Sequence, residues 1–190
     1  MNQTNSHPNP PVVPLAQNVN VPRIQLDPRP YPEVRRATPA EGGAEMDASD
    51  VIRLQQDYAG RGGELSAITL YIFQNTTTDD VAFANALLQI AITEMTHLDM
   101  LGDAIRTLGG TAEFKSSPDG YWSAANINYA TDREGMLRAA IAAETGAISA
   151  YNAHAAATRN PTVRDFLLRI ADDEKLHLVF FQEELARTSL

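Results

Sequence analysis

The sequence predicts an all-α protein: a four-helix bundle of two antiparallel helical hairpins joined by one long crossover, with a proline-rich N-terminal arm. One observation is a repeated motif, because the Glu-x-x-His pairs Glu94–His97 and Glu174–His177 each follow a lone glutamate, Glu64 or Glu144, by thirty positions. Residues three apart lie on the same face of a helix, so each Glu and its His can point at one site. The other observation is the apolar pattern around these glutamates.

Apolar residues alternate three and four positions apart in the predicted helices, which is the spacing of a helix packed in a bundle. Glu94, Glu144 and Glu174 each occupy a place in such a seam, so we expect their carboxylates to point into the core. The other seam residues are Leu87, Ala91, Leu98, Leu101, Ile105, Leu108, Leu137, Ile141, Ile148, Tyr151, Val163, Leu167, Ile170, His177 and Phe181.

The predicted hairpins have matching dimensions. The first helix runs over residues 64–75 and the second starts at about residue 79 and passes Glu94, so a short turn joins them. At a rise of about 1.5 Å per residue, Glu64 and Glu94 lie roughly 16 to 22 Å from that turn, at a common height. The second hairpin repeats this over residues 144–158 and 161–174.

The ends of the helices follow from capping signals. Residues 131–134 form a predicted capping box, Asn160 and Pro161 supply an N-cap and a first-turn proline, and the glycines at 109–110 close the second helix. The link from there to Ala130 is predicted to be structureless. About twenty extended residues can span the length of the bundle, as a single long crossover requires.

Four glutamates converging on one core would repel unless cations neutralise them. Two divalent metal ions cancel four negative charges. Carboxylate and imidazole ligands suit iron, manganese or zinc, and the chain has no cysteine to offer a thiolate. The sequence therefore predicts a two-metal site inside the bundle.

The sequence resembles the ferritin-like superfamily of dinuclear metal carboxylate proteins. The segments that carry the resemblance are residues 57–65, 94–100 and 173–177, and it extends over about 47–187. The chain is most similar to small bacterial rubrerythrin-like and manganese-catalase-like proteins, including the catalase-like proteins of spore coats. This resemblance implies a centre of two iron or two manganese ions per chain.

The resemblance also implies roles for individual residues. Glu64 and Glu144 would be terminal ligands, Glu94 and Glu174 would bridge or chelate, and each metal would hold one histidine. The implied metal ligands are Glu64, Glu94, His97, Glu144, Glu174 and His177. The residues expected to act in catalysis are these four glutamates with Tyr71 and Tyr151.

Three further polar residues are candidates for contact with the ligands. Tyr71 and Tyr151 each lie two helical turns after a lone glutamate, so each is either a hydroxyl that orients a ligand or a core tyrosine. Asp173 either accepts the free ring N–H of His97 across the bundle or is a solvated helix residue. His154 lies off the seam and is interpreted as a surface or helix-packing histidine.

The resemblance implies an oxidoreductase that reacts with hydrogen peroxide or dioxygen and protects the cell from oxidants, as a catalase or peroxidase. Without cysteine the chain lacks a rubredoxin module, and Ala147 stands where rubrerythrins have an additional glutamate. A catalase needs no external reductant and fits such a chain better. The alternatives are a ferroxidase of an iron-storage protein and a coat protein whose metals only hold the bundle together.

Gly60, Gly62 and Gly63 precede Glu64, and glycine is unfavourable inside a helix. They either admit a close approach to Glu64 or mark a simple break before the helix.

Composition sets the remaining expectations. The 190 residues, 44% of them hydrophobic, support one domain, residues 46–190, after an arm over 1–45 that contains nine prolines. We expect the arm to be extended and to contact a neighbouring subunit of a homo-oligomer. The net charge of −9 argues against nucleic acid or a membrane as partner. Without an apolar span or secretory signal, the expected location is cytoplasmic, with a spore coat or similar compartment left open.

Overall fold

The computed structural model describes residues 24–25, 27–117 and 120–188. Within these ranges the chain forms five α-helices and one two-stranded antiparallel hairpin. The helices are α1 (Gly43–Ala59), α2 (Glu64–Thr77), α3 (Val81–Thr107), α4 (Arg133–Ala157) and α5 (Pro161–Thr188), and the strands are β1 (Lys115–Ser116) and β2 (Gly120–Tyr121).

Helices α2 to α5 form the predicted four-helix bundle. The most extensive helix contacts are between α2 and α3 and between α4 and α5, which are the two hairpins. The second hairpin starts beside the turn of the first, since Arg133 Nη1 lies 3.4 Å from Asp80 Oδ2 and the Arg133 guanidinium stacks on the Phe83 ring. The connection from α3 to α4 therefore spans the bundle, and the single long crossover is confirmed.

The helix ends agree with the predicted caps except at α4. Asn160 accepts hydrogen bonds from the backbone of Thr162 and Val163 at the start of α5, and Gly109 adopts a left-handed φ of 91° after α3. The predicted capping box at 131–134 is wrong in register. Asp132 is the N-cap of α4, and its carboxylate accepts from the backbone N–H of Gly135 at 2.8 Å.

The crossover contains more structure than the sequence predicts. It carries the β1–β2 hairpin and a short 3-10 helix, Ala124–Asn126. Trp122 anchors it to the bundle, because its indole N–H donates to Ser66 Oγ on α2 at 3.0 Å. The prediction of a structureless link is therefore wrong, and these contacts hold the crossover against α2.

Helix α1 is an additional element that the predicted hairpins do not include. It ends at Ala59, and the chain turns before α2 begins at Glu64. A Cβ at Gly63 would lie 2.4 Å from the carbonyl oxygen of Asp57, and one at Gly60 would lie 2.4 Å from that of Gln56. These glycines therefore mark a break between two helices, as one of the two interpretations expects.

The described part of the N-terminal arm lies on its own bundle. The Asn160 side chain donates to the carbonyl of Arg35, and Arg169 on α5 donates to the carbonyls of Asp27 and Arg29. A 3-10 helix, Pro39–Glu41, then leads into α1. Residues 1–23 of the predicted arm lie outside the described residues, and contact with a neighbouring subunit stays a prediction.

Two apolar clusters fill the core, one towards each end of the bundle. Along α3, for example, Phe83 and Leu87 belong to one cluster and Leu101 and Ile105 to the other. Buried polar residues occupy the level between them. Among the described residues, no helix is sufficiently long and apolar to span a membrane.

Candidate metal centre

Each helix of the bundle contributes to the buried polar level between the two apolar clusters. Helix α2 begins with Glu64, and α4 places Glu144 in its seam. The Glu-x-x-His pairs of α3 and α5 put a carboxylate and an imidazole on successive turns. All six residues are at most 3% exposed: Glu64, Glu94, His97, Glu144, Glu174 and His177.

These side chains form two groups that share two members. In one group, potential ligand atoms of Glu64, Glu94, His97 and Glu174 all lie within 4.8 Å of one another. The other group, under the same limit, consists of Glu94, Glu144, Glu174 and His177. Glu94 and Glu174 belong to both groups, so the arrangement has a pair of shared carboxylates flanked by a Glu and a His on each side.

Each histidine directs its Nδ1 atom at the shared carboxylates. His97 Nδ1 lies 2.9 Å from Glu94 Oε2 and 3.1 Å from Glu174 Oε1. His177 Nδ1 lies 2.9 Å from Glu94 Oε1 and 3.1 Å from Glu174 Oε2. One ring nitrogen carries at most one proton, so it cannot donate to two carboxylates with good geometry.

The shared glutamates are consequently left short of donors. Glu94 Oε1 and Glu174 Oε1 are buried and accept no well-formed hydrogen bond from any described residue. A buried carboxylate oxygen without a donor is costly, and a bound cation removes that cost. Carboxylate oxygens with imidazole nitrogens are a donor set that suits iron, manganese or zinc, so the residues present fit two such ions.

The flanking glutamates, Glu64 and Glu144, have carboxyl pKa values shifted by their surroundings. Burial raises the pKa of Glu64 and of Glu144 well above the usual range of a carboxyl, and repulsion by Glu94 and Glu174 raises it further. Glu94 behaves in the opposite way. Burial alone would raise its pKa, but the imidazoles of His177 and His97 outweigh burial and hold the pKa below the usual range.

Both histidines also have shifted pKa values. Burial opposes protonation of His97 and His177, but the surrounding carboxylates, led by Glu174 for His97 and Glu94 for His177, outweigh it and raise each pKa well above its usual range. Without metal ions, the imidazoles and the flanking carboxyls would therefore favour their protonated forms. Metal ions would replace these protons, because ligands bind in their deprotonated forms.

Two tyrosines connect the hairpins at this level. The Tyr71 hydroxyl on α2 donates to Glu144 Oε1, and the Tyr151 hydroxyl on α4 donates to Glu64 Oε1. Burial raises the pKa of both tyrosines well above its usual value, so the hydroxyls stay protonated and remain donors. Each flanking glutamate is thus oriented by a tyrosine of the other hairpin.

The Nε2 atom of His97, which points away from the shared carboxylates, faces Asp173 and Tyr31. His97 Nε2 lies 3.3 Å from Asp173 Oδ2 and 3.2 Å from the Tyr31 hydroxyl of the arm. Asp173 also pairs with the buried Arg169 at 2.7 Å. Burial would raise the pKa of Asp173, but hydrogen bonds from His97, Tyr31 and Arg169 outweigh it and lower the pKa to about 2.

The sequence does not indicate the contacts of Tyr31, Arg169 and Asp57. Tyr31 lies in a proline-rich segment without periodicity, and it meets Asp173 across 142 positions of chain. His154 contacts another helix, as one of its two interpretations expects, since its Nδ1 lies 2.9 Å from the buried Asp57 of α1. Arg169 is buried in the folded chain, where a guanidinium requires partners, but no sequence pattern marks it as buried.

A cavity of about 500 Å³ reaches the centre between α2 and α4. Its inner end is formed by Glu64, Glu144, Glu174 and the two tyrosines. Its apolar wall is formed by Ala67, Leu70, Ala139, Ala142, Ala143, Ala147 and Ala150. The polar residues Asp57, Arg61 and Ser66 and residues 126–128 of the crossover also line it. The cavity opens on the side of α2 and α4, whereas both histidines come from α3 and α5.

The family comparison is decisive for the fold. A model of the ferritin-like domain matches residues 63–190, which include the whole bundle. The chain belongs to the ferritin-like family. A comparison with curated proteins found no significant match.

Solved structures of other ferritin-like proteins agree with this membership. KatB, a manganese catalase from Anabaena, is 25% identical with a TM-score of 0.70, over 78% of this chain and 75% of that one. The bacterioferritin of Desulfovibrio desulfuricans, which has a diiron site, is 20% identical with a TM-score of 0.66, over 77% and 83%. A bacterioferritin from Rhodobacter capsulatus is 19% identical with a TM-score of 0.62, over 78% and 88%.

Proposed function

We propose that this ferritin-like protein is an oxidoreductase with two iron or two manganese ions per chain, which reacts with hydrogen peroxide or dioxygen in catalase-like or peroxidase-like protection against oxidants. The observation that carries the proposal is the pair of overlapping ligand groups, with Glu94 and Glu174 common to both. Two separate metal sites would not need shared carboxylates. Shared carboxylates would hold two ions near each other, so that both could meet one small substrate.

In this proposal Glu64 and His97 would hold one ion and Glu144 and His177 the other. Glu94 and Glu174, which belong to both ligand groups, would contribute to both. The bound ions would supply the redox change of the reaction. The chain supplies negative charge, which favours the higher oxidation states, and a fixed geometry. Tyr151 and Tyr71 fix the carboxylates of Glu64 and Glu144, respectively, through their hydroxyl hydrogen bonds.

The cavity between α2 and α4 supports access for a small neutral substrate. It ends at Glu64 and Glu144, on the side of the centre opposite the histidines. Its walls are mainly apolar, and a peroxide or dioxygen molecule needs only a narrow passage. The Tyr71 and Tyr151 hydroxyls lie beside the carboxylates at its inner end, where an entering peroxide would meet them.

The likeness to a manganese catalase favours peroxide dismutation, in which two hydrogen peroxide molecules give two waters and one dioxygen. This reaction needs no external reductant. The 190 residues contain no cysteine to ligate an iron–sulfur cluster.

Metal content followed by turnover tests the proposal. Protein purified without chelator should hold about two manganese or iron atoms per chain, and it should evolve dioxygen from hydrogen peroxide or consume peroxide with a reductant. His97→Ala and His177→Ala should each abolish turnover and leave the helical circular dichroism unchanged. Full activity in either variant, or a chain that takes up no metal on reconstitution, would overturn the assignment.

A ferroxidase of an iron-storage protein is the second candidate, since two bacterioferritins share the fold. It predicts uptake of many more iron atoms than two per chain and a large hollow assembly in light scattering. Two metals per chain in a small oligomer would instead support the oxidoreductase. Bound metal without any turnover would support the structural role of a coat protein.

A further inference from the structure

The two halves of the centre differ outside the ligands. Asp173 directly precedes one Glu-x-x-His pair, and Thr93 directly precedes the other. Asp173 Oδ2 lies 3.3 Å from His97 Nε2. The Thr93 hydroxyl instead bonds to the carbonyl of Gln89 on its own helix, and His177 Nε2 is buried without a hydrogen-bond partner among the described residues.

The N-terminal arm builds on this difference. The Tyr31 hydroxyl donates to Asp173 Oδ2 at 2.5 Å, and the backbone N–H of Asp27 donates to Asp173 Oδ1 at 3.2 Å. Arg169 pairs with Asp173, donates to the carbonyls of Asp27 and Arg29, and places its guanidinium 4.2 Å from the centroid of the Tyr31 ring. Both oxygens of Asp173 are therefore fixed by the segment 27–31 and by Arg169.

We propose that the segment 27–31, which we call the clasp, strengthens metal binding at the His97 end of the centre, with Tyr31 as a positioning residue, so that the two ions bind with unequal affinity. The inference rests on the proposed dinuclear site. The clasp holds Asp173 where it accepts the Nε2–H of His97. That bond fixes the tautomer with the Nδ1 lone pair towards Glu94 and Glu174, and it makes the imidazole a better donor to a metal.

His177 has no equivalent support. To bind a metal through Nδ1 it must keep its proton on Nε2, where no described residue accepts it. Loss of an outer hydrogen-bond partner typically weakens metal binding by about 10- to 100-fold. The ion at the His177 end should therefore bind about 10- to 100-fold more weakly than the ion at the His97 end.

Coupling between the clasp and the metal must be reciprocal. If the docked clasp strengthens metal binding about tenfold, bound metal strengthens docking of the clasp by the same factor. The Asp27 backbone N–H reports this directly, because it donates to Asp173 Oδ1. Its hydrogen exchange can be measured without any enzymatic turnover.

Calorimetric titration of metal-free protein with Mn(II) tests the inequality. The unmodified chain should bind two ions in separate steps. The His177→Ala variant should keep the tight binding step, and the His97→Ala variant should keep the weak one. Adding Tyr31→Phe should weaken binding about tenfold in the His177→Ala background and leave the His97→Ala background unchanged. Tyr121→Phe, a tyrosine that is 74% exposed, is the matched control and should change neither.

Two ions of equal affinity, or a Tyr31→Phe effect that is the same in both backgrounds, would overturn the clasp and leave the proposed function standing. A chain that binds no Mn(II) or Fe(II) would overturn both. Asp173→Asn is the second variant and should weaken the tight ion by up to about 100-fold.

Hydrogen exchange of the unmodified protein is a check that does not depend on how any variant folds. Mn(II) should slow exchange at Asp27 and at neighbouring clasp amides about tenfold. Exchange at the β1–β2 hairpin, which is remote from Asp173, should not change. An Asp27 amide whose exchange rate is the same with and without metal would contradict the coupling.

Discussion

Two buried glutamates, Glu64 and Glu144, and two buried histidines, His97 and His177, make the stability of the metal-free protein depend on pH with an unusual sign. The pKa values of Glu64 and Glu144 lie above the ordinary 4.5, and those of His97 and His177 lie above the ordinary 6.5. Groups with a raised folded pKa contribute stability that is complete below the unfolded pKa and is lost as pH rises through the folded value. The metal-free chain should therefore lose stability as pH rises above 4.5 for the carboxyls and above 6.5 for the imidazoles.

The measurement is urea unfolding of chelator-treated protein between pH 5 and 9. The free energy of unfolding should fall by up to about 1.4 kcal/mol per pH unit for each proton that the folded protein holds and the unfolded chain has released. Protein saturated with Mn(II) is the control and should show no such loss, because its ligands are already deprotonated. Metal-free protein that gains stability from pH 6 to 9 would contradict the protonated centre.

The tyrosine that supports Glu64 offers a test of a single hydrogen bond. Tyr151→Phe removes the donor to Glu64 Oε1 from a fully buried site. We expect the free energy of unfolding to fall by about 1 to 3 kcal/mol, the usual cost of a buried polar group that loses its partner. Tyr121→Phe on the exposed β2 should stay within about 0.5 kcal/mol. Equal effects in urea unfolding would show that the Tyr151 hydroxyl is not a supporting donor.

At the residue scale, helical spacing predicts which glutamates and histidines meet in the core. It does not predict contacts between residues that are far apart in the chain and outside the helices. The Glu-x-x-His pairs and the seams place four glutamates in the core because both features repeat with the period of a helix. Tyr31 has no such signal. It lies in a proline-rich segment, and only the folded chain brings it to His97 and Asp173.

At the scale of elements, the break between α1 and α2 sets the position of Glu64 as the first residue of α2. Gly63→Ala should shift this start, because its Cβ would meet the Asp57 carbonyl oxygen at 2.4 Å. We expect a loss of about 1 to 3 kcal/mol in unfolding free energy and weaker Mn(II) binding. Gly62→Ala is the matched control, since nothing lies within 4 Å of its Cβ. A Gly63→Ala variant that matches this control in both measurements would contradict the argument.

Helix α1 is not part of the sequence prediction, since the predicted hairpins begin at Glu64. The glycines between α1 and α2 had two interpretations, and only the carbonyls that crowd Gly60 and Gly63 decide for a break. The β1–β2 hairpin of the crossover is missed for a different reason. Its strands have two residues each, which is too short for an alternating pattern to appear.

At the scale of the whole molecule, the proposed centre links the two hairpins. Each ligand group takes residues from both hairpins: Glu64, Glu94 and His97 with Glu174 in one, and Glu144, Glu174 and His177 with Glu94 in the other. Neither hairpin holds a complete group alone. Metal binding at this centre would therefore be coupled to folding of the entire bundle rather than to a local element.

This coupling predicts a midpoint of thermal unfolding that rises with metal concentration. A ligand that binds only the folded state stabilises it by about 2.7 kcal/mol at 100 times its Kd and by about 4.1 kcal/mol at 1,000 times. Mn(II) titrated into metal-free protein should raise the midpoint continuously at pH 7. Mg(II) should have little effect, because it retains its water shell and prefers oxygen ligands to imidazole. The double variant Glu94→Gln with Glu174→Gln keeps the size of the shared side chains and removes their charge, so it should abolish the response. If that variant still responds to Mn(II) as the unmodified chain does, the ions bind elsewhere and do not join the hairpins.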